Sequence, residues 1–153
     1  MNVITIAEKT IQGMSTRTRN SNEMNPETAK IAALYEDFYK NIVVDYQQGA
    51  RVYGVYFDYE SDASGMFSVL AGADRIKSST IELQQVKIKA GDYLVFKGEG
   101  EMPQAVIDTW MKIWEFFSEG NTENNTKYKR AYVTDFELYK SETQVEIHIG
   151  IEK

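Results

Sequence analysis

Two carboxylates, Asp135 and Glu137, fall inside the strand-like run Asp135-Phe136-Glu137-Leu138-Tyr139. Successive side chains of a strand point to opposite faces, so Asp135, Glu137 and Tyr139 share one face. A carboxylate within an apolar strand is costly unless a cation pairs with it. If the chain supplies no cation, a ligand can, and Glu137 becomes a candidate cation-binding residue. The alternative is that this face meets solvent and Glu137 is an ordinary surface carboxylate.

Other familiar reaction centres lack the residues that they require. His148 is the single histidine and the chain has no cysteine, so a zinc site of nitrogen or sulfur ligands cannot be built. Neither a Gly-x-Ser-x-Gly nucleophile elbow nor a Walker phosphate loop is present. We therefore expect no metal and no cofactor. We interpret His148, which alternates with Ile147 and Ile149, as a solvated surface residue.

The composition describes a folded, acidic protein. The 153 residues include 17 basic and 23 acidic side chains, which gives a net charge of −6. The basic residues are scattered, so no direct nucleic-acid partner is expected. Ten tyrosines and two tryptophans are more than a plain core requires. Because no apolar run approaches roughly 18 residues and the N-terminus lacks signal-peptide features, we expect no membrane partner and a cytoplasmic location.

Two amphipathic helices are predicted. The first covers residues 26 to 48, because Pro26 suits the first helical position, Asn25 can cap it and Gly49 follows its last apolar residue. The second covers residues 103 to 118 and also begins at a proline. Aromatic side chains recur along both helices at three- and four-residue spacing. Such residues usually belong to the core, and lining a cleft is the alternative.

Strand-like segments flank both helices, with turn-forming residues between them. They are residues 3–6, 51–59, 66–74, 81–89, 93–98, 131–139 and 145–149, and the fourth and fifth are predicted to form a hairpin. A polar segment, residues 121–126, is predicted to be a mobile surface loop.

The order strand, helix, strand, strand occurs twice with matching spacing. We therefore predict an α+β fold in which duplicated β-α-β-β units form a largely antiparallel sheet with two packed helices. The units are pseudo-repeats, about 1–77 and 78–153, of one domain covering residues 1–153. A central cleft along their pseudo-symmetry axis is the expected place for a ligand. Only the second unit has a glutamate, Glu137, where the first has an apolar strand.

Four segments stand in a characteristic order. They are Val52 to Tyr59 followed by Gly65 and Gly72, Gly91 to Gly98, Trp110-x-x-Ile113-Trp114, and Asp135 to Tyr139 with the closing strand. In these segments the chain resembles the gyrase-inhibitor-like (GyrI-like) small-molecule-binding family, which includes the effector-binding domains of AraC-type and multidrug-sensing regulators. The resemblance spans the whole chain and implies the duplicated fold with an aromatic cleft. It also implies a stand-alone module, because the regulators' DNA-binding domain has no counterpart here.

In multidrug-binding members of that family, the glutamate matching Glu137 is similar in role to a buried cation sensor, and aromatic rings stack on flat cations. The resemblance carries over to Glu137 alone. To it we add, by inference, five aromatic residues as ligand-binding residues: Trp110, Tyr93, Tyr53, Phe38 and Tyr46. No catalytic residue is assigned.

The leading hypothesis is a non-enzymatic binding protein for small, amphipathic, cationic aromatic compounds. One alternative is a glutamate-dependent hydrolase of reactive small molecules, in which a glutamate of the cleft activates water. Another is a protein-interaction module that acts on a macromolecular partner, as the gyrase inhibitor does.

Overall fold

The computed structural model describes residues 2–118, 120–121 and 127–152. Its strands are β1 (Asn2–Ile6), β2 (Lys9–Thr18), β3 (Ile42–Val44), β4 (Val52–Phe57), β5 (Phe67–Ala73), β6 (Ile76–Ser79), β7 (Gln84–Ile88), β8 (Gly91–Glu99), β9 (Arg130–Ser141) and β10 (Gln144–Ile151). Its helices are α1 (Asn20–Glu23), α2 (Ile31–Asn41) and α3 (Gln104–Phe116). Most of the segment predicted to be a mobile loop lies outside the described residues.

Eight strands form one antiparallel sheet in the order β1-β8-β10-β9-β4-β5-β2-β7, and β3 and β6 form a separate pair. Outward from the central pair, the strands run β4-β5-β2-β7 on one side and β9-β10-β8-β1 on the other. Strands of the two halves therefore occupy equivalent positions in the sheet. Each central strand follows a helix, since β4 comes after α2 and β9 after α3. The predicted α+β fold of duplicated β-α-β-β units is therefore confirmed. The division of a single domain at about residues 77 and 78 stays a prediction.

The first strand of each half pairs with the other half. β1 pairs with β8, and β7 pairs with β2, in one unchanged register that runs from Ile6 opposite Gly91 to Lys9 opposite Ile88. The predicted hairpin of residues 81–89 with 93–98 is therefore wrong. The two segments, β7 and β8, do not pair with each other. Because β7 hydrogen-bonds to β2 and β8 hydrogen-bonds to β1, they continue in one direction as a single bent strand.

The helix predicted for residues 26 to 48 corresponds to α2, which is shorter than predicted and begins at Ile31. Pro26 lies in a turn, where the backbone carbonyl of Asn25 accepts hydrogen bonds from the amides of Thr28 and Ala29. The Glu23 carboxylate instead holds the start of α2, accepting the amides of Lys30 at 2.9 Å and Ile31 at 3.1 Å.

Helix α2 also ends earlier than predicted, at Asn41. Three β-branched residues follow it as strand β3 and pair with β6. The second helix, α3, matches its predicted range to within two residues.

Both helices pack on the same face of the sheet, and they leave its centre open. α2 packs against β2 and β5, while α3 packs against β8 and β10. The central strands β4 and β9 therefore lie at the bottom of a gap between the helices. No described helix has the length and apolar run that crossing a membrane needs.

The opposite face of the sheet carries a second apolar core, which corrects the interpretation of His148. Its buried members include Tyr53, Tyr93 and Phe136. His148 is 4% exposed, and its ring stacks on Phe136 with centroids 4.2 Å apart. Its Nδ1 is buried without a hydrogen-bond partner. The predicted solvated surface histidine is therefore wrong, because both faces of β10 are covered.

Candidate functional site

A cleft of about 1570 Å³ lies between α2 and α3, above β4 and β9. Its wall is mostly apolar and aromatic. The aromatic residues that line it are Tyr35, Tyr39, Tyr46, Tyr56, Tyr59, Phe67, Trp110, Trp114 and Tyr139. Such a cavity is large enough for a drug-sized molecule.

Glu137 lies in the wall of this cleft and is only 2% exposed. Two neutral donors reach each of its carboxylate oxygens. Oε1 accepts the hydroxyls of Tyr35 at 3.2 Å and Tyr139 at 3.0 Å. Oε2 accepts the hydroxyl of Tyr56 at 2.8 Å and the indole N–H of Trp110 at 2.6 Å. The four donors occupy about all of the lone-pair positions that a carboxylate offers.

Burial raises the pKa of Glu137, and the hydrogen bonds from Trp110, Tyr56, Tyr139 and Tyr35 offset part of that increase. Among the described residues, no lysine, arginine or histidine forms an ion pair with it. When it is ionised, the carboxylate is thus hydrogen-bonded but not neutralised. A site of this kind attracts a cation that can enter the cleft.

The three tyrosines around Glu137 remain donors over the physiological range. Burial raises the pKa of Tyr35, Tyr56 and Tyr139 well above the usual value, and the neighbouring carboxylate raises each of them further. Their hydroxyl protons therefore stay in place beside the glutamate.

A second buried charge, Arg130, also lines the cleft and does have a partner. Its Nη2 donates to Asp135 at 2.8 Å, and Asp135 also accepts the hydroxyl of Tyr59 and the amide of Gly150. Burial alone would lower the pKa of Arg130, but Asp135 raises it overall. The guanidinium also lies over the ring of Tyr132, 4.5 Å from its centroid. This pair is internally compensated, unlike Glu137.

Three of the six residues predicted to bind ligand line the cleft: Glu137, Trp110 and Tyr46. The other three lie elsewhere. Tyr53 and Tyr93 point to the opposite face, where they pack around Phe136. Phe38 is fully buried in the core below α2, because the apolar side of that helix faces the sheet.

Four residues of the site carry no role in the sequence-based prediction: Tyr35, Tyr56, Tyr139 and Arg130. Tyr139 is two positions from Glu137 on the same strand face, so period-two alternation signals it. Tyr56 and Tyr35 reach Glu137 from far away in the sequence, and only the strand order brings them there.

The mouth of the cleft is apolar as well. Five large hydrophobic residues of the cleft wall are exposed: Met24, Tyr39, Tyr46, Ile107 and Met111. An exposed apolar patch beside a pocket is typical of a binding surface, and methionine adapts readily to ligands of different shape.

Comparison with known proteins connects this cleft to a family. A family model described as Cass2, integron-associated effector binding protein, matches residues 3–151. An integron cassette protein from the mobile metagenome of Vibrio cholerae is 41% identical, with 99% of this chain and 95% of that chain covered and a TM-score of 0.83. A comparison with curated protein sequences finds no match.

Two more distant structures share the fold. A putative transcription regulation protein from Staphylococcus aureus is 15% identical with a TM-score of 0.67, covering 99% of this chain and 97% of its own. SAV2435, solved bound to tetraphenylphosphonium, is 15% identical with a TM-score of 0.65, covering 99% and 93%. The family model confirms the resemblance to effector-binding domains that was found in the sequence. The match over nearly the whole chain shows that it belongs to the Cass2 family of integron-associated effector-binding proteins.

Proposed function

We propose that this chain binds amphipathic, aromatic cations in the cleft and that the carboxylate of Glu137 selects for their positive charge. The observation that carries the proposal is a buried carboxylate held by four neutral donors in the wall of an aromatic cleft. The Arg130–Asp135 pair nearby is already compensated, so Glu137 is the charge that gains most from an entering cation.

The expected binding forces are charge attraction and ring contact. At an effective dielectric constant of about 20, two unit charges about 5 Å apart attract by roughly 3 kcal/mol. Each aromatic face that meets a cation adds about 0.5–2 kcal/mol. Since the acceptor positions of Glu137 are filled, the ligand needs no N–H group. Delocalised or quaternary cations therefore suit the site.

One protein of the same fold supports this choice of ligand. SAV2435 shares the fold and was solved with tetraphenylphosphonium, a bulky aromatic cation. The apolar mouth of the present cleft would cover those parts of such a ligand that extend beyond Glu137.

The filled acceptor positions also bear on the hydrolase hypothesis. A glutamate that activates water must hydrogen-bond to that water. In this cleft a water could do so only by displacing one of the four donors of Glu137. This favours binding over turnover. Among the described residues, no contact in the cleft favours a macromolecular partner over a small molecule.

The test compares two ions of similar shape and opposite charge, tetraphenylphosphonium and tetraphenylborate, by isothermal titration calorimetry. We expect the wild-type protein to prefer the cation and Glu137→Gln to lose about tenfold or more of its affinity for it. Glu115→Gln is the matched control, since Glu115 lines the same cleft but is exposed. If Glu137→Gln binds the phosphonium as tightly as wild type, the proposed role of Glu137 is wrong.

A further inference from the structure

Arg130 has hydrogen-bond donors that no described residue accepts. The residue is 8% exposed, yet among the described residues only Asp135 and Tyr59 accept hydrogen bonds from its side chain, both from Nη2. Its Nε is buried without a partner, and no hydrogen bond from Nη1 to any described residue is formed. A guanidinium carries five N–H donors, and buried donors in proteins are normally satisfied. Arg130 can therefore take a further acceptor.

Trp110 links Arg130 to Glu137. Its indole N–H donates to Glu137 at 2.6 Å, and the Cζ atom of Arg130 lies 5.7 Å from its ring centroid. All three residues line the cleft. A flat ligand that lies against Trp110 is therefore close to a carboxylate and to a guanidinium at once.

A ligand that displaces water from this part of the cleft leaves Arg130 without acceptors unless it brings its own. Leaving a charged donor unsatisfied is unfavourable, whereas a charge-assisted hydrogen bond is among the stronger ones in proteins. Asp135 leaves room for a second carboxylate, because it engages only Nη2 and is held by Tyr59 and Gly150 as well.

We propose that the cleft prefers zwitterions, namely aromatic cations that also carry a carboxylate, with the cation near Glu137 and the carboxylate on Arg130. A planar carboxylate matches the geometry of a guanidinium better than it matches an ammonium. The inference rests on the proposed function, since it assigns a second group to a ligand of the same cleft.

The probes are tetramethylrosamine and its 4-carboxyphenyl derivative, which share one cationic ring system and differ by a single carboxylate. Their affinities are measured by fluorescence anisotropy. We expect wild type to bind the carboxylate derivative about tenfold more tightly. Arg130→Lys keeps a positive charge beside Asp135 but removes the fork of donors, so its preference for the carboxylate derivative should be weaker than that of wild type.

Two further variants complete the test. The double variant Arg130→Met with Asp135→Asn removes both charges together, so that no buried charge is left alone, and it should bind both dyes equally. Lys129→Gln is the control. Lys129 lines a smaller cavity of about 320 Å³ that shares Arg130 with the cleft, so the preference should survive its substitution.

Three results would overturn the inference. The first is equal binding of the two dyes by wild type, and the second is a preference that survives both Arg130 variants. The third is a preference that is lost in Lys129→Gln, which would place the carboxylate in the smaller cavity. The wild-type comparison requires no variant to fold. If the parent dye binds through Glu137 but the carboxylate gives no gain, the proposed function stands and this inference fails. If neither dye binds, both fail.

Discussion

Gly54 lies directly opposite Glu137 across the ladder between β4 and β9, and a Cβ atom at position 54 would be 2.6 Å from Oε1 of Glu137. The same Cβ would also meet the hydroxyl oxygen of Tyr35. A glycine inside a strand is normally unfavourable and often marks a place where another group approaches closely. Here the missing side chain gives Glu137 and Tyr35 the space in which they meet.

Gly54→Ala should therefore weaken binding of tetraphenylphosphonium, because the new methyl group separates Tyr35 from Glu137. Overpacking of this kind also costs about 1–3 kcal/mol of stability, to be measured by urea unfolding. Gly49→Ala is the control, since its cost is backbone strain at φ 88° with nothing within 4 Å of the new Cβ. If the two variants bind the cation equally well, the contact at Gly54 does not shape the site.

Binding of tetraphenylphosphonium should weaken as the pH falls. The ligand has no titrating group, so the pH dependence comes from the protein. Burial raises the pKa of Glu137, and protonation removes the charge that attracts the cation. Affinity is thus complete above that raised pKa and is lost as the pH falls through it. Calorimetry at a series of falling pH values should reveal this decrease in wild type and a flat profile in Glu137→Gln.

Replacing Trp110 or Trp114 by phenylalanine distinguishes the contribution of the indole hydrogen bond to ligand affinity from that of aromatic ring contact. Trp110 and Trp114 both line the cleft with ring centroids 6.2 Å apart, but Trp110 alone of the two donates to Glu137. Trp110→Phe keeps an aromatic ring and removes the donor, so the pKa of Glu137 should rise further and cation affinity near neutral pH should fall. Trp114→Phe should change affinity by about twofold or less. If the two substitutions lower cation affinity equally in calorimetric titrations, the role given to the indole N–H of Trp110 is wrong.

Substitutions at Arg130 and Asp135, which form an ion pair, should have strongly non-additive effects on the free energy of unfolding. Arg130→Met leaves Asp135 buried without its cation, which typically costs about 3–5 kcal/mol. Adding Asp135→Asn removes the stranded charge, and most of the lost stability should return. Chemical unfolding of the two single variants and the double variant gives the coupling free energy. Additive effects would mean that the two side chains do not stabilise one another.

Acid should destabilise the protein through His148. Burial lowers the pKa of His148 in the folded state, so the unfolded chain takes up its proton at a higher pH than the folded chain does. Stability is present above the unfolded pKa of about 6.5 and is lost as the pH falls from there toward the folded pKa. In melting experiments, His148→Gln should lose less stability than wild type over this window. A parallel decline in the two proteins would mean that His148 is not the group responsible.

Local patterns in the sequence were sufficient for part of this structure. The period-two alternation of β9 placed Glu137 and Tyr139 on one face, and helical spacing located α3. By contrast, β2 was not predicted, because its sequence is rich in polar residues and includes Gly13. It becomes a strand only through its two neighbours, β5 and β7.

The surroundings of Glu137 depend on contacts that no local pattern encodes. Tyr35 is 102 residues from Glu137 in the chain, and Tyr56 is 81 residues away. The positions of Tyr53, Tyr93 and Phe38 could not be inferred either, since an aromatic residue in an amphipathic segment looks the same whether it faces a core or a cleft.

The exchange of β1 and β7 between the two halves has a consequence for assembly of the protein. Each half contributes its opening strand to the ladder of the other and one central strand to the floor of the cleft. Long-range pairings of this kind slow folding, because distant segments must meet before their contacts form. Two separately expressed fragments divided near residue 79 would each be left with unsatisfied strand edges. Ligand binding regained on mixing them would report complementation, so the protein is a natural candidate for a split sensor.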